Sequence, residues 1–265
     1  MYNLIKADLF KLRKSKAIKI IFAITVISAL TMTIMAYLIQ KGKLNTGTTG
    51  IGFLFSDANM MGILGAVLAG VFICGDFDNR TIHEAIVNGN SRCQVVISKA
   101  IVFFISCLVI LLPYFIATGI AIETGYKFNM GGVSVGFLNL ITTEGGKAIS
   151  LLQGFKILAI MFALVFIYIA QLGLCIPFAI VFKKPVVVVA VYYGITILFS
   201  QMSKLEASAK TFKNIIECTP YGSKYVFMAL NTGAGDIARA FIVSLICIII
   251  MIAITCYAFR RAEIK

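Results

Sequence analysis

Six stretches without a charged residue organise this chain: 20–39, 60–74, 100–122, 157–182, 185–200 and 240–259. Apolar runs longer than about 18 residues read as membrane-crossing helices, shorter ones as core helices or partial spans. Run 60–74 is short, so its helix is expected to begin earlier, between Gly52 and Asp57. Runs 157–182 and 185–200 are divided only by Lys183 and Lys184, which predicts a tight helical hairpin. Gly173 and Pro177 are candidate kinks in the fourth span, because a proline removes a backbone donor. The first run is longer than a signal-peptide core and has no small-residue cleavage pattern after it, so it is expected to remain as an anchor.

The polar stretches between the runs orient them. With the N-terminus in the cytoplasm, the inner segments are 1–19, 75–99, 183–184 and 260–265. They carry 14 Lys and Arg in 52 residues, against 10 in 93 for 40–59, 123–156 and 201–239. Lys and Arg concentrate on the cytoplasmic side of membrane proteins, so both termini are expected inside. The outer loop 201–239 has apolar patches at Ile215-Ile216 and from Tyr225 to Leu230, which leaves a dip into the outer leaflet open.

Composition agrees with this pattern. The chain has 265 residues, 60% hydrophobic and only 13% charged, with a mean hydropathy of +0.97; soluble domains carry about 25% charged residues. The expectation is one all-α transmembrane domain over 1–265, with six spans and no soluble domain. The formal charge of +13 would suggest nucleic acid in a soluble chain. Here it is read as inside bias plus contact with anionic lipid headgroups, and no nucleic acid is expected. The seven cysteines are scattered with no CxxC, against a disulfide framework or zinc site.

Known chemistry is hard to place. None of the six runs contains Asp, Glu, Lys, Arg or His, which argues against an ion- or proton-driven carrier. Gln171 is the most polar residue within a run, either bonding across helices or touching substrate. There is no HExxH or GxSxG, and His83 stands alone. Gly145-Gly146-Lys147 lacks both the first glycine and the following Ser or Thr of a phosphate loop, so the chain is not expected to hydrolyse ATP. Gly62, Ala66 and Gly70 recur every fourth residue, a small-residue face for packing within the chain or against another subunit.

Two polar elements carry more. Tyr2, Ile5, Leu9 and Leu12 form one stripe of a helix over 1–16, with Lys6, Lys11, Arg13 and Lys14 around it, a pattern suited to the headgroup plane. In the loop 75–99, Thr81 and Glu84 match the T-x-x-E capping box, Ser91 and Gln94 match S-x-x-Q, and Gly89 suits the left-handed residue after a helix. Between them Ile82, Ala85 and Ile86 share a small apolar face, against a membrane surface or a cytoplasmic protein.

This loop resembles that of the membrane subunits of ABC-2 type transporters, which work with a separate nucleotide-binding subunit. The similarity runs through Asp76, Arg80, Thr81, Ile82, Gly89, Ser91, Arg92 and Lys99, in the family's order, and extends to the N-terminal helix and six spans. The resemblance implies that 81–88 is a coupling helix docking on the ATPase through Arg80, Thr81, Ile82, His83, Glu84, Ala85, Ile86 and Asn88. Asp76, Gly89, Ser91, Arg92, Gln94 and Lys99 would then build the loop. It further implies two ATPase copies holding ATP and magnesium, a second permease subunit (identical or related), and no cofactor on this chain. The short chain is similar to bacterial exporters of antimicrobial or toxic peptides, such as bacitracin-resistance, lantibiotic-immunity and modulin exporters. That points to the bacterial cytoplasmic membrane and an amphipathic peptide substrate. An ATP-independent pore or carrier and a membrane scaffold are the alternatives.

Overall fold

A computed structural model describes residues 1–45, 49–131, 134–205 and 210–261, which form helices joined by turns with no strand among them. The six apolar runs become six helices long and apolar enough to cross a membrane, so this is an all-α, multi-pass membrane protein.

Helix α1 (Tyr2–Lys14) ends at Ser15, whose extended backbone makes a one-residue corner into the first span, α2 (Lys16–Gln40). A short α3 (Thr49–Leu54) precedes the second span. That span starts at Asp57, inside the expected window. It comprises α4 (Asp57–Ala69), a π-helical turn at Gly70–Cys74 and α5 (Gly75–Asp78). A π turn widens the helix by one residue. It occurs where the turn of the fourth–fifth hairpin packs closely, since a Cβ on Gly70 would lie 2.9 Å from the Pro185 Cβ.

The loop helix α6 (Thr81–Val87) leads to the third span, α7 (Arg92–Glu123). An outer helix α8 (Gly136–Glu144) follows. The fourth span divides at Gly173 and Leu174 into α9 (Leu151–Leu172) and α10 (Cys175–Phe182), the interruption expected from Gly173. Lys183 adopts a left-handed conformation (φ 55°) and turns the chain into the fifth span, α11 (Pro185–Leu205). Two short helices, α12 (Lys210–Glu217) and α13 (Ser223–Val226), precede the sixth span, α14 (Ala234–Arg261).

The spans divide by burial. Between 61% and 67% of the apolar window is buried in the second, third and fourth spans, but 28% in the first, 17% in the sixth and 11% in the fifth. The former three are therefore the core, and α2, α11 and α14 flank it with exposed aliphatic faces. Fitted small residues set the closest approaches. A Cβ on Gly65 would fall 2.3 Å from the Leu172 side chain, and Ala66 is fully buried. The expected Gly62–Ala66–Gly70 face is therefore not one surface. Gly70 meets Pro185, whereas a Cβ on Gly62 would meet nothing within 4 Å.

At the far end from α6, the outer loop packs back against the bundle and reaches the fourth span, where Gln171 donates to the Pro220 carbonyl. Ile216, Tyr225 and Met228 are buried, while Ile215 and Phe227 remain exposed. Residues 206–209 of that loop, and 262–265 of the C-terminal tail, lie outside the described residues.

Candidate functional site

Charge collects at the end of the bundle that carries α1, α6, Lys183, Lys184 and the last turn of α14. There α6 is fixed by three devices. Ser91 and Gln94 form the expected reciprocal capping box that starts α7. Gly89 adopts the expected left-handed conformation (φ 86°). The Asn90 side-chain amide donates to the Ala85 carbonyl at 2.9 Å.

The other expected box is absent. Arg80, not Thr81, occupies the cap position of α6, with a left-handed φ of 57°. Thr81 is the first helical residue, and its hydroxyl donates back to the Asp76 carbonyl at 3.2 Å. The Glu84 amide donates to the Arg80 carbonyl instead. A threonine one position inside a helix cannot serve as its N-cap, because its hydroxyl no longer faces the third amide.

Burial also redistributes the expected docking residues. Ile82 is 2% exposed, and Ala85 and Ile86 pack beside it on the core. That apolar face seats α6 on its own chain, so the expectation that Ile82 touches a partner is corrected: a side chain covered by α6's own protein presents nothing outward. His83 is half-buried, and the outward surface consists of Arg80, Glu84, Val87 and Asn88. Val87, which the sequence reading passed over, is 84% exposed.

Beneath α6 lies a charge network. Asp76 is fully buried and accepts from the ammonium groups of Lys11 and Lys99. Lys99 donates as well to Asp8 at 2.5 Å and sits 4.9 Å from the centre of the Phe72 ring. Burial pushes the Asp8 carboxyl above its ordinary value, against the opposing pull of Lys99. Four charges thus tie α1 to α5 and to the start of α7. The stripe expected in the headgroup plane is partly used here. Leu12 is buried, Leu4, Ile5 and Leu9 pack against the core, and Tyr2 and Phe10 face outward.

Arg92 makes the second connection. Its guanidinium donates to the carbonyls of Phe259 at 3.1 Å and Arg260 at 3.0 Å, closing the C-terminal end of α14, where carbonyls lack intrahelical donors. Phe77 packs edge-on against Phe259, and Lys183 lies over the Phe77 ring. Asp76 and Lys99, both in the family-like pattern, therefore meet in one junction, and Arg92 of the same pattern makes the other. Asp8 and Lys11 are the members that sequence reasoning missed. The one available signal was that Asp8 is the sole acid in a basic segment.

A second constellation occupies the interior. The Phe55 carbonyl accepts from Ser28, at the midpoint of α2, and from Tyr114. Two residues later Asp57 is fully buried and accepts from the Tyr168 hydroxyl at 2.5 Å and the amides of Phe137 at 2.8 Å and Leu138 at 3.4 Å. The carboxylate caps α8 from another element, so an acid does lie within the bundle although no apolar run contains one. Gly136 permits the approach. Its φ is +61°, and a Cβ there would fall 2.0 Å from the Tyr168 hydroxyl and 2.3 Å from Asp57 Oδ2.

Beside this hub, between α4, α9, α11 and the 221–227 segment, is a cavity of about 330 Å³. Gln171 lines it and donates to the Pro220 carbonyl at 2.9 Å, so it bonds between elements while facing open space. Gly62 lines the same cavity.

No group of three or more His, Cys, Asp or Glu with metal-ligand geometry occurs among the described residues. A search of curated proteins returns no match. The family model described as ABC-2 family transporter protein matches residues 4–189, which covers α1, the first four spans, α6 and the junction around Asp76 and Lys99.

Proposed function

The chain belongs to the ABC-2 family of transporter proteins, a permease subunit that associates with an ABC ATPase, and on that premise we propose that it exports an amphipathic peptide. ATP and magnesium bind on the partner, present in two copies, and a second permease subunit completes the transporter in a bacterial cytoplasmic membrane. The end bearing α6 faces the cytoplasm, in keeping with its Lys and Arg.

The observation that carries the reading is the mounting of α6. It is short, stopped at both ends, seated by Ile82 and presents Arg80, Glu84, Val87 and Asn88 outward. A helix held this way transmits a push as a rigid body. Pressure from the ATPase dimer as it closes on ATP passes through α5 to the second span and through Ser91 to the third. The Asp76–Lys99 junction passes it to α1, and Arg92 passes it to α14. Movement of the spans against one another then changes access to the substrate path. The small apolar tip at Val87, flanked by Arg80 and Glu84, suits a groove with an apolar floor and charged rims.

The test is co-purification of the chain with its ATPase, followed by ATP hydrolysis in proteoliposomes. Val87→Asp is expected to lower stimulated hydrolysis at least ~10-fold while leaving the thermal midpoint of the permease unchanged. Unaltered coupling in that variant would remove α6 as the docking element.

A further inference from the structure

The cavity of about 330 Å³ between α4, α9, α11 and the 221–227 segment has the chemistry of a binding site. We infer that it takes an uncharged, aromatic-containing segment of peptide within a single permease chain, and this rests on the peptide-export reading above.

Three features of the lining support this. The Tyr221 hydroxyl donates to the Gln171 carbonyl at 3.4 Å, and Phe199 stacks on Tyr221 at 4.3 Å and 5°, giving a flat aromatic wall. The Tyr193 hydroxyl donates to the Asn59 side-chain oxygen at 3.1 Å, and Gln171 spans to the Pro220 carbonyl. Primary amides both donate and accept, as a peptide unit does, so Asn59 and Gln171 can exchange partners for a ligand backbone. Finally, none of the described lining residues is Asp, Glu, Lys, Arg or His.

That last feature separates peptide from lipid. A phospholipid must place a phosphate, and a buried phosphate without a cation or a set of donors is expensive. A neutral peptide segment brings one donor and one acceptor per residue together with apolar side chains, matching amides set among aromatic rings. The size is at the lower end of small-molecule cavities, about 300–1,000 Å³. It holds a short segment, with the rest of a longer peptide outside. The cavity's floor is also structural, because Tyr168 lines it while its hydroxyl holds Asp57. Occupancy is therefore felt at the α8 cap.

Gly62 supplies a clean perturbation, because a Cβ there points into open space and a larger side chain fills the cavity without displacing backbone. The experiment measures binding of a fluorescent, end-blocked, uncharged tetrapeptide containing two phenylalanines to the full chain in nanodiscs, alone and with its ATPase. Fluorescence anisotropy is the readout. The expected result is saturable binding, weakened at least ~10-fold by Gly62→Leu and several-fold by Tyr193→Phe, with the ATPase still co-purifying with both variants. Equal binding to the parent and Gly62→Leu chains overturns the assignment. So does binding of labelled phosphatidylglycerol that Gly62→Leu abolishes while the peptide fails to compete. Absence of peptide binding together with intact peptide-stimulated ATP hydrolysis sinks this site but leaves the export reading. Absence of any coupling to an ATPase sinks the export reading instead.

Discussion

Replacing Lys99 with Met tests whether α1 is held by charge. The side chain of Asp76 is fully buried, and those of Lys99 and Asp8 are 8% and 13% exposed. Lys99→Met keeps the apolar stem but leaves Asp76 with only Lys11, itself half in solvent, and Asp8 without its bonded cation, with only the weaker pull of Lys11. Removing one partner of a buried ion pair costs about 3–5 kcal/mol. The lower end applies, because Lys11 remains and Asp8 can turn toward water. At ~1.4 kcal/mol per tenfold, about 3 kcal/mol raises the undocked population of α1 roughly 100-fold. Limited trypsin digestion of the purified chain reads this directly, since Lys6, Arg13 and Lys14 lie on α1, provided that redocking outpaces cleavage. Cleavage in α1 is expected to accelerate by about that factor. The double variant Asp76→Asn with Lys99→Met should recover part of the loss, because it removes the uncompensated carboxylate along with the ammonium. Lys99→Met digestion at the parent rate would refute the role of the network, and a double variant worse than the sum of the singles would refute the pairing.

Further outcomes follow from other contacts. Gly136→Ala forces a methyl group against Tyr168 and Asp57 at a positive φ, and should destabilise the chain by roughly 2–4 kcal/mol from strain and a lost buried hydrogen bond. A lowered thermal midpoint in detergent checks this. Ile82→Asp should lower the midpoint, because it buries a charge, whereas Val87→Asp should not; similar midpoints for the two would reverse their assigned faces. Ser91→Ala should cost about 1 kcal/mol through loss of the α7 cap, measured by the same melting experiment.

The spans were legible because each is written in a single stretch of chain: 185–200 carries no charged residue, and α11 begins at Pro185. Ser91–Gln94 was legible for the same reason, as a cap depends on residues three apart. Thr81–Glu84 has identical spacing but fails, since Arg80 takes the left-handed turn and moves the helix start by one position. The amphipathic face of α1 was visible, but its receiving surface on α7 was not. Asp8 and Lys99 are 91 positions apart, and no local pattern announces such a pair. Asp57 stands three residues ahead of its apolar run and looks like a loop acid until α8, 80 positions later, supplies the amides it caps.

Arg92 and Lys99 sit seven residues apart on α7, and through them α1 and the last turn of α14 report to the same two turns of helix. A fluorophore placed on Ser15 and another on Tyr257 would bracket that knot from opposite sides. Their separation would then serve as a ruler for nucleotide-driven motion, without any label on α6 itself.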